Sequence, residues 1–343
     1  MDSLTQAALG AAVGVAVMGR RTAAWKAALW GAVWGTLPDL DAFIDHGDPV
    51  RNMTMHRGDS HALFWLTLVA PLFGALAARL HGEAAQWRRW ALAAWLALIT
   101  HPLLDWMTVY GTQLLRPFTD TPYGVGSIFI IDPLYTVPLL AGVIATLVAR
   151  SPARWRWNAA GLLLSTAYLG WSVAAQAQVR ALAEAELSRQ GIVATQVLVT
   201  PTPFNTVLWR IVAVTPEAYH EGFRSLLDDD RSIAFARFDR GATLEAPLAG
   251  VWAADRMRWF TRGFYALSEV DGQARITDLR MGQSPHYTFS FAVAQRQSPT
   301  WKALPAPQSV GGRPPDVGAA LQWVWRRAWG ERLPPPGTPS QAG

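Results

Sequence analysis

Trp90-Ala-Leu-Ala-Ala-Trp-Leu-Ala-Leu-Ile-Thr-His-Pro-Leu-Leu-Asp-Trp-Met107 is an apolar run that closes on two ionisable side chains. Its length approaches the roughly 20 residues that a helix needs to span a bilayer. His101 and Asp105 stand at i and i+4, so a helix puts both on one face of its last turn. Burial there costs several kcal/mol unless the groups are paired or coordinated. Alone, the pair reads equally as a structural His–Asp hydrogen bond at a helix end or as part of a site. The rest of the chain decides between these.

Five further apolar runs precede residue 180, at 4–18, 24–37, 62–78, 134–149 and 158–176. The first two are short and rich in Gly and Ala, which suits close helix packing. Gly10–Gly14 lacks the Lys-Ser/Thr of a phosphate loop and is read as packing too. Trp25, Trp87, Trp90, Trp155, Trp157 and Trp171 lie at or near run ends, where interfacial anchors sit. Only 16% of residues are charged and 51% are hydrophobic, against about 25% charged in soluble domains. The expected fold is an α-helical membrane bundle with about four to six embedded helices over residues 1–178. The alternative is a buried bundle in a soluble protein, which would have to cover every one of these runs. Met1-Asp2-Ser3 lacks the basic start of a signal peptide, so the first run is expected in the mature fold.

Loop charge sets the orientation. Arg20, Arg21 and Lys26 lie in one connection, Arg79, Arg88 and Arg89 in another, and Arg150, Arg154 and Arg156 in a third. The positive-inside rule makes these cytoplasmic. The alternate connections carry Asp39, Asp41, His56, His61, His101, Asp105 and Asp132, all on the opposite side. The expected location is the inner membrane, multi-pass, with the C-terminal domain periplasmic. The net charge of +5 comes from short loops rather than one stripe, so no nucleic-acid partner is expected. Cysteine is absent, which excludes disulfides, thiolate metal sites and a Cys nucleophile.

Beyond Arg180 the chain reads as soluble. Strands are expected at Thr195–Thr200, Val207–Thr215, Ile233–Phe238, Trp259–Leu267, Ala274–Leu279 and Tyr287–Ala294, with a turn at Asp271-Gly272. These form a small, mostly antiparallel β domain over 179–298, placed to cover the site or present a substrate. Residues 299–315 read as a Pro/Gly-rich linker and 316–329 as a short helix. Trp323, Trp325 and Trp329 beside Arg326 and Arg327 fit a membrane interface or packing on the β domain. A disordered tail is expected over 333–343.

The remaining candidates fall in loops. In His56-Arg-Gly-Asp-Ser-His61 the two histidines are wrongly spaced for one helix face. The spacing suits a loop His56 and a His61 at a helix start, with Ser60 as cap. Arg57 has the fork geometry for a phosphate, or is a structural anchor. Asp39 and Asp41, after Pro38, either converge on a cation or cap a turn. Asp132 before Pro133 fits a helix N-cap, or orients a ligand or acts as base. His56, His61 and His101 with Asp39, Asp41 and Asp105, all on one face, suffice for one or two metals, and mixed imidazole and carboxylate ligands suit zinc, manganese or iron. Two such ions activate water and stabilise a leaving oxygen. No Gly-x-Ser-x-Gly elbow is present. His46 is a reserve ligand, and His81, His220 and His286 are set aside.

These motifs are familiar in order and spacing. Met1–Gly14, Gly35-Thr-Leu-Pro-Asp-Leu-Asp41, His56–His61, His101–Asp105 with Thr108–Phe118, and Ile130–Thr136 resemble the YdjM-like family of inner-membrane, metal-dependent hydrolases. Trp259–Gly282 resembles the C-terminal extension of one branch. The family looks distantly similar to zinc-dependent phospholipase C and single-strand nucleases, which implies phosphodiester or phospholipid chemistry. The resemblance implies Asp39, Asp41, His56, His61, His101 and Asp105 as metal ligands. Many relatives carry His where this chain has Gln6. The expected function is a membrane-bound hydrolase using metal-activated water on a phosphoester or phospholipid-like substrate, with Asp132 and Arg57 as catalytic residues. The rival is a non-catalytic membrane protein whose His/Asp cluster is structural or serves metal binding or transport. A soluble helical enzyme is a third reading.

Overall fold

The computed structural model describes residues 1–334, so the tail expected over 333–343 falls outside the described residues from 335 onward. Nine α-helices and ten strands follow along those residues. The helices are α1 (Ser3–Met18), α2 (Ala24–Thr36), α3 (Pro49–Met55), α4 (Leu63–Leu80), α5 (Trp87–Trp106), α6 (Pro133–Val148), α7 (Trp155–Arg189), α8 (Trp252–Thr261) and α9 (Val317–Ala328). The chain divides into a helical unit, Met1–Ile44 with His56–Val173, and a second unit, Asp45–Met55 with Ala174 onward.

In the helical unit α1 packs on α2, α5 and α6, and α4 packs on α5. The α1–α2 contact is made by backbone. A Cβ on Gly10 would lie 2.2 Å from the Gly31 carbonyl oxygen, and one on Gly31 would lie 2.1 Å from that of Gly10. Gly14 faces Ala27, and Gly35 faces the Gln6 carbonyl, in the same way. Each helix therefore carries Gly at i and i+4, the small-residue pairing that lets two helices touch without side chains between them. Trp34, Trp90, Leu98 and Leu139 fill the core below.

α4 alone among the described helices is long and apolar enough to cross a membrane by length and composition, and α1 and α6 are apolar but shorter. Leu68, Leu72, Leu76 and Leu80 form one exposed stripe along α4, with Leu72 70% exposed. Such a stripe on a packed helix needs an apolar neighbour.

The second unit is mostly antiparallel β. β1 (Gln196–Pro201), β2 (Leu208–Val214), β3 (Ala218–Ser225) and β4 (Phe235–Asp239) form one meander in that order. β5 (Tyr265–Val270), β6 (Gln273–Asp278), β9 (Ser290–Gln297) and β10 (Thr300–Ser309) form another sheet, in the order β10-β9-β6-β5. β7 (Gly282–Gln283) and β8 (His286–Tyr287) make a small ribbon. Asp271 and Gly272 both take positive φ, 54° and 71°, and turn β5 into β6, as their sequence predicts.

Several elements differ from expectation, β3 among them, which no expected strand covers. Trp259 closes α8 rather than opening a strand, because Ala253, Ala254, Met257 and Phe260 are buried at helical spacing. Residues expected as linker form β10, an edge strand where Pro305 and Pro307 are tolerated at a register shift between Ala303 and Gln308. α7 runs on to Arg189, since Ala181–Leu187 is made of strong helix formers. The helix expected at 316–329 is α9, capped by Asp316 and packed through Trp323 on Phe223, ring centroids 4.9 Å apart.

β3 carries a buried ion pair with β2. Arg210 Nε donates to Glu221 Oε2 (2.8 Å), and Arg210 Nη1 donates to the Leu279 carbonyl (2.8 Å). Arg210→Ala is expected to destabilise this unit by about 3–5 kcal/mol, because it strands a buried carboxylate. Thermal or denaturant unfolding beside Arg231→Ala, an exposed position expected within about 0.5 kcal/mol, checks this.

Candidate metal centre

Two 3₁₀ turns and one helix end bring the site together inside the helical unit. Pro38 opens the turn Leu37–Phe43 after α2 and places Asp39 and Asp41. The turn Asp59–His61 places His61 just before α4. α5 supplies His101 and Asp105 from successive turns of one face. Ligand atoms of Asp39, His61, His101 and Asp105 all lie within 4.8 Å of one another.

The spacing is that of a coordination shell. A tetrahedral ion held at about 2.0–2.1 Å sets neighbouring ligand atoms about 3.3 Å apart. His61 Nε2 and His101 Nε2 are separated by 3.1 Å. Asp39 Oδ1 lies 3.4 Å from each of them. Asp105 Oδ2 lies 3.3 Å from His61 Nε2 and 3.4 Å from His101 Nε2. That oxygen is buried and has no hydrogen-bond partner.

The surrounding contacts fix both rings. His101 Nδ1 donates to the Gly35 carbonyl at 2.6 Å, which leaves its Nε2 lone pair facing the cluster. Ser60 Oγ donates to Asp41 Oδ2 (2.5 Å) and so accepts from His61 Nδ1 (2.9 Å). The His61 Nε2 lone pair then faces inward as well. Two lone pairs 3.1 Å apart repel unless a cation or a proton lies between them. Burial opposes a charged His61, but the carboxylates of Asp105, Asp39 and Asp41 outweigh it and raise its pKa to about 9. Burial likewise opposes charge on Asp39, yet hydrogen bonds with His101 and His61 hold it well below the usual carboxylate range. Asp41 is held low in the same way, by His56 and His61 against burial.

The structure sorts the sequence candidates. Asp39, His61, His101 and Asp105 converge. Asp41 and His56 pair with each other one layer out, Asp41 Oδ1 to His56 Nδ1 at 2.8 Å. Asp41 Oδ2 also accepts from the Arg57 backbone N–H (2.9 Å), so this carboxylate splints the whole loop. Asp132 is N-cap of α6, accepting from Leu134 N–H (3.0 Å) and Tyr168 Oη (2.9 Å), and is not drawn into the cluster. His46 lies in the second unit, and its backbone N–H donates to Asn52. Ser60, expected as a helix cap, instead links Asp41 to His61, and Ala62 takes the cap position of α4.

Arg57 sits against the cluster, 6% exposed. Its Nη2 lies 3.2 Å from Asp105 Oδ1 and its Nη1 donates to Thr108 Oγ1 at 3.2 Å. Its guanidinium lies over the Tyr110 ring, and its Nε is buried without a partner. Its φ of 61° is a conformation that non-glycine residues rarely adopt. Gln6 is fully buried beside Asp105. Its Nε2 donates to Asp105 Oδ1 (3.1 Å) and the His101 carbonyl (3.2 Å), while its Oε1 has no partner. The Met1 amino group also meets Asp105 Oδ1. Thr108 and Tyr110 were not singled out as site residues in the sequence, although their place one turn beyond Asp105 is the signal for them.

A chain similar to this one over much of its length is the uncharacterized protein YfhP of Bacillus subtilis (strain 168). It is 26% identical over 317 residues, covering 84% of this chain and 89% of the relative. No solved structure matches the chain. The model of the YdjM inner membrane protein family matches residues 1–179, which span the complete cluster and every helix that positions it. With half of the chain matched, and with the site-bearing half at that, the protein belongs to the YdjM inner membrane protein family.

Proposed function

We propose that the protein is a membrane-bound, metal-dependent hydrolase acting on a phosphoester of lipid-like character. The observation that carries the reading is the convergence of two imidazole lone pairs and two carboxylates at the spacing of a coordination shell. A divalent ion held there supplies Lewis acidity that polarises a phosphoryl oxygen and acidifies water. Zinc suits two imidazoles and two carboxylates, with manganese and iron as alternatives.

The chain's own residues divide the remaining tasks. Asp39 is the most exposed of the four, at 17%, and marks the side from which substrate arrives. Arg57 offers a buried cation with an orphan Nε to an anionic oxygen, which favours phosphoesters over neutral esters. Asp41, Ser60 and Gly35 keep both imidazoles in the ligand tautomer. The apolar stripe of α4 favours an embedded helical unit, and loop charge supports a multi-pass placement with the site at the periplasmic face.

Burial favours a second reading. His61, His101 and Asp105 are fully buried, and four protein ligands are the mark of a structural ion. Turnover separates the two. Purified protein loaded with zinc or manganese is expected to hydrolyse phosphodiesters in preference to carboxylic esters and to stop on chelation. Arg57→Gln is expected to lower kcat/KM for phosphodiesters about 100-fold, the cost of one charge-assisted contact to a transition state, while metal content stays. No turnover of any ester at full metal occupancy would leave the structural ion standing.

A further inference from the structure

The other end of the same helices carries a second feature. Arg89 lies in the first turn of α5 and His101 three and a third turns later, about 18 Å along the axis. α1 runs the opposite way, with Gln6 at the cluster and Arg20 and Arg21 just beyond its far end. Arg20, Arg21 and Arg89 line a cavity of about 520 Å³ with Trp155, Asn158 and Leu162. None of the three arginines has an ion-pair partner among the described residues. Three uncompensated guanidinium groups around one cavity repel one another and call for an anion.

Asn158 adds an independent observation. It is 2% exposed, its Nδ2 donates to the Ala12 carbonyl (2.9 Å), and its Oδ1 is buried without a partner. An orphan acceptor beneath a cationic rim fits a ligand that carries a hydroxyl as well as a negative charge. A headgroup ammonium is disfavoured there by the arginines. Trp155 and Leu162, with Val15 and Val17, give the cavity an apolar wall suited to an acyl chain. In an inner membrane protein, a ring of basic residues between helix ends faces the anionic leaflet.

We infer that this cavity binds an anionic glycerophospholipid with a hydroxylated headgroup, phosphatidylglycerol in type, at the end of the helical unit opposite the metal centre. The lipid is a bound ligand of the fold, not the substrate of the cluster. The arginines hold its phosphate and Asn158 Oδ1 accepts from a headgroup hydroxyl.

Native mass spectrometry of the full-length protein released from mixed phosphatidylglycerol and phosphatidylcholine micelles tests this. Wild type is expected to retain phosphatidylglycerol at least about tenfold over phosphatidylcholine. R20Q/R21Q/R89Q, at three exposed positions, is expected to lose that preference. The single substitutions are expected to lower it stepwise, which keeps the test decisive if the triple variant does not fold. A preference unchanged in both the triple and the single variants overturns the inference. So does displacement of the lipid by equimolar glycerol 3-phosphate, which would make the ligand a soluble phosphoester.

Discussion

Replacing His101 by alanine is expected to empty the metal centre. Wild-type protein purified without chelator is expected to carry zinc, manganese or iron, read by elemental mass spectrometry, and His101→Ala to carry only traces. Asp105→Asn should do the same, because an amide cannot neutralise the ion. The outer residues should behave differently. Asp41→Asn and His56→Gln leave all four ligands present and disturb only their orientation, which costs about 10–100-fold in affinity. Equal loss in all four variants would show that six residues ligate rather than four. Unchanged metal in His101→Ala would remove the centre altogether. The proton linkage has a definite sign. His61 must be neutral to ligate, and in the metal-free protein it holds its proton up to about pH 9. Apparent affinity is therefore expected to rise about tenfold per pH unit from 7 towards 9 and then level off. Competition with a chromophoric chelator across that range measures it.

The second large effect belongs to the helix crossing. Gly31→Leu is expected to abolish the folded protein. Its first added carbon would sit 2.1 Å from the Gly10 carbonyl, and backbone has no rotamer by which to yield. Gly10→Leu meets the Gly31 carbonyl at 2.2 Å and should fail alike. Gly170→Ala, with nothing within 4 Å on α7, should be neutral or slightly stabilising. Loss of a monodisperse detergent-solubilised peak separates the outcomes. A folded, metal-replete Gly31→Leu would refute the backbone contact. Gly35→Ala is the informative middle case. Gly35 touches the Gln6 carbonyl and accepts from His101 Nδ1, so its displacement should weaken metal binding before it unfolds the helices.

Much of this was legible in residue spacing. The i, i+4 relation of His101 and Asp105 needs only a helix, and loop charge put the basic and ligand-bearing connections at opposite ends. The packing role of Gly10 and Gly14 followed from small residues in an apolar run. Which carboxylate joins the two imidazoles was not legible. Asp39 and Asp41 are both i, i+2 loop aspartates, and only the 3₁₀ turn aims one at the imidazoles and the other at Ser60 and His56. β3 was missed because its buried Glu221 and Arg224 break the alternation of apolar and polar residues by which a strand is read. β10 was missed because two prolines argue against a strand, and whether a strand is at an edge cannot be seen until its sheet exists.

The long reach of the centre's contacts sets a timetable for its assembly. His61 meets His101 across 40 residues, and Gln6 meets Asp105 across 99. The α1–α2 hairpin can close on its glycines as soon as residue 35 has left the ribosome. The cage cannot exist until residue 105 has followed, several seconds later at ordinary elongation rates of about 5–20 residues per second. A cluster that holds an ion would therefore capture it late, and only in a chain whose α1, α2, α4 and α5 are already in register.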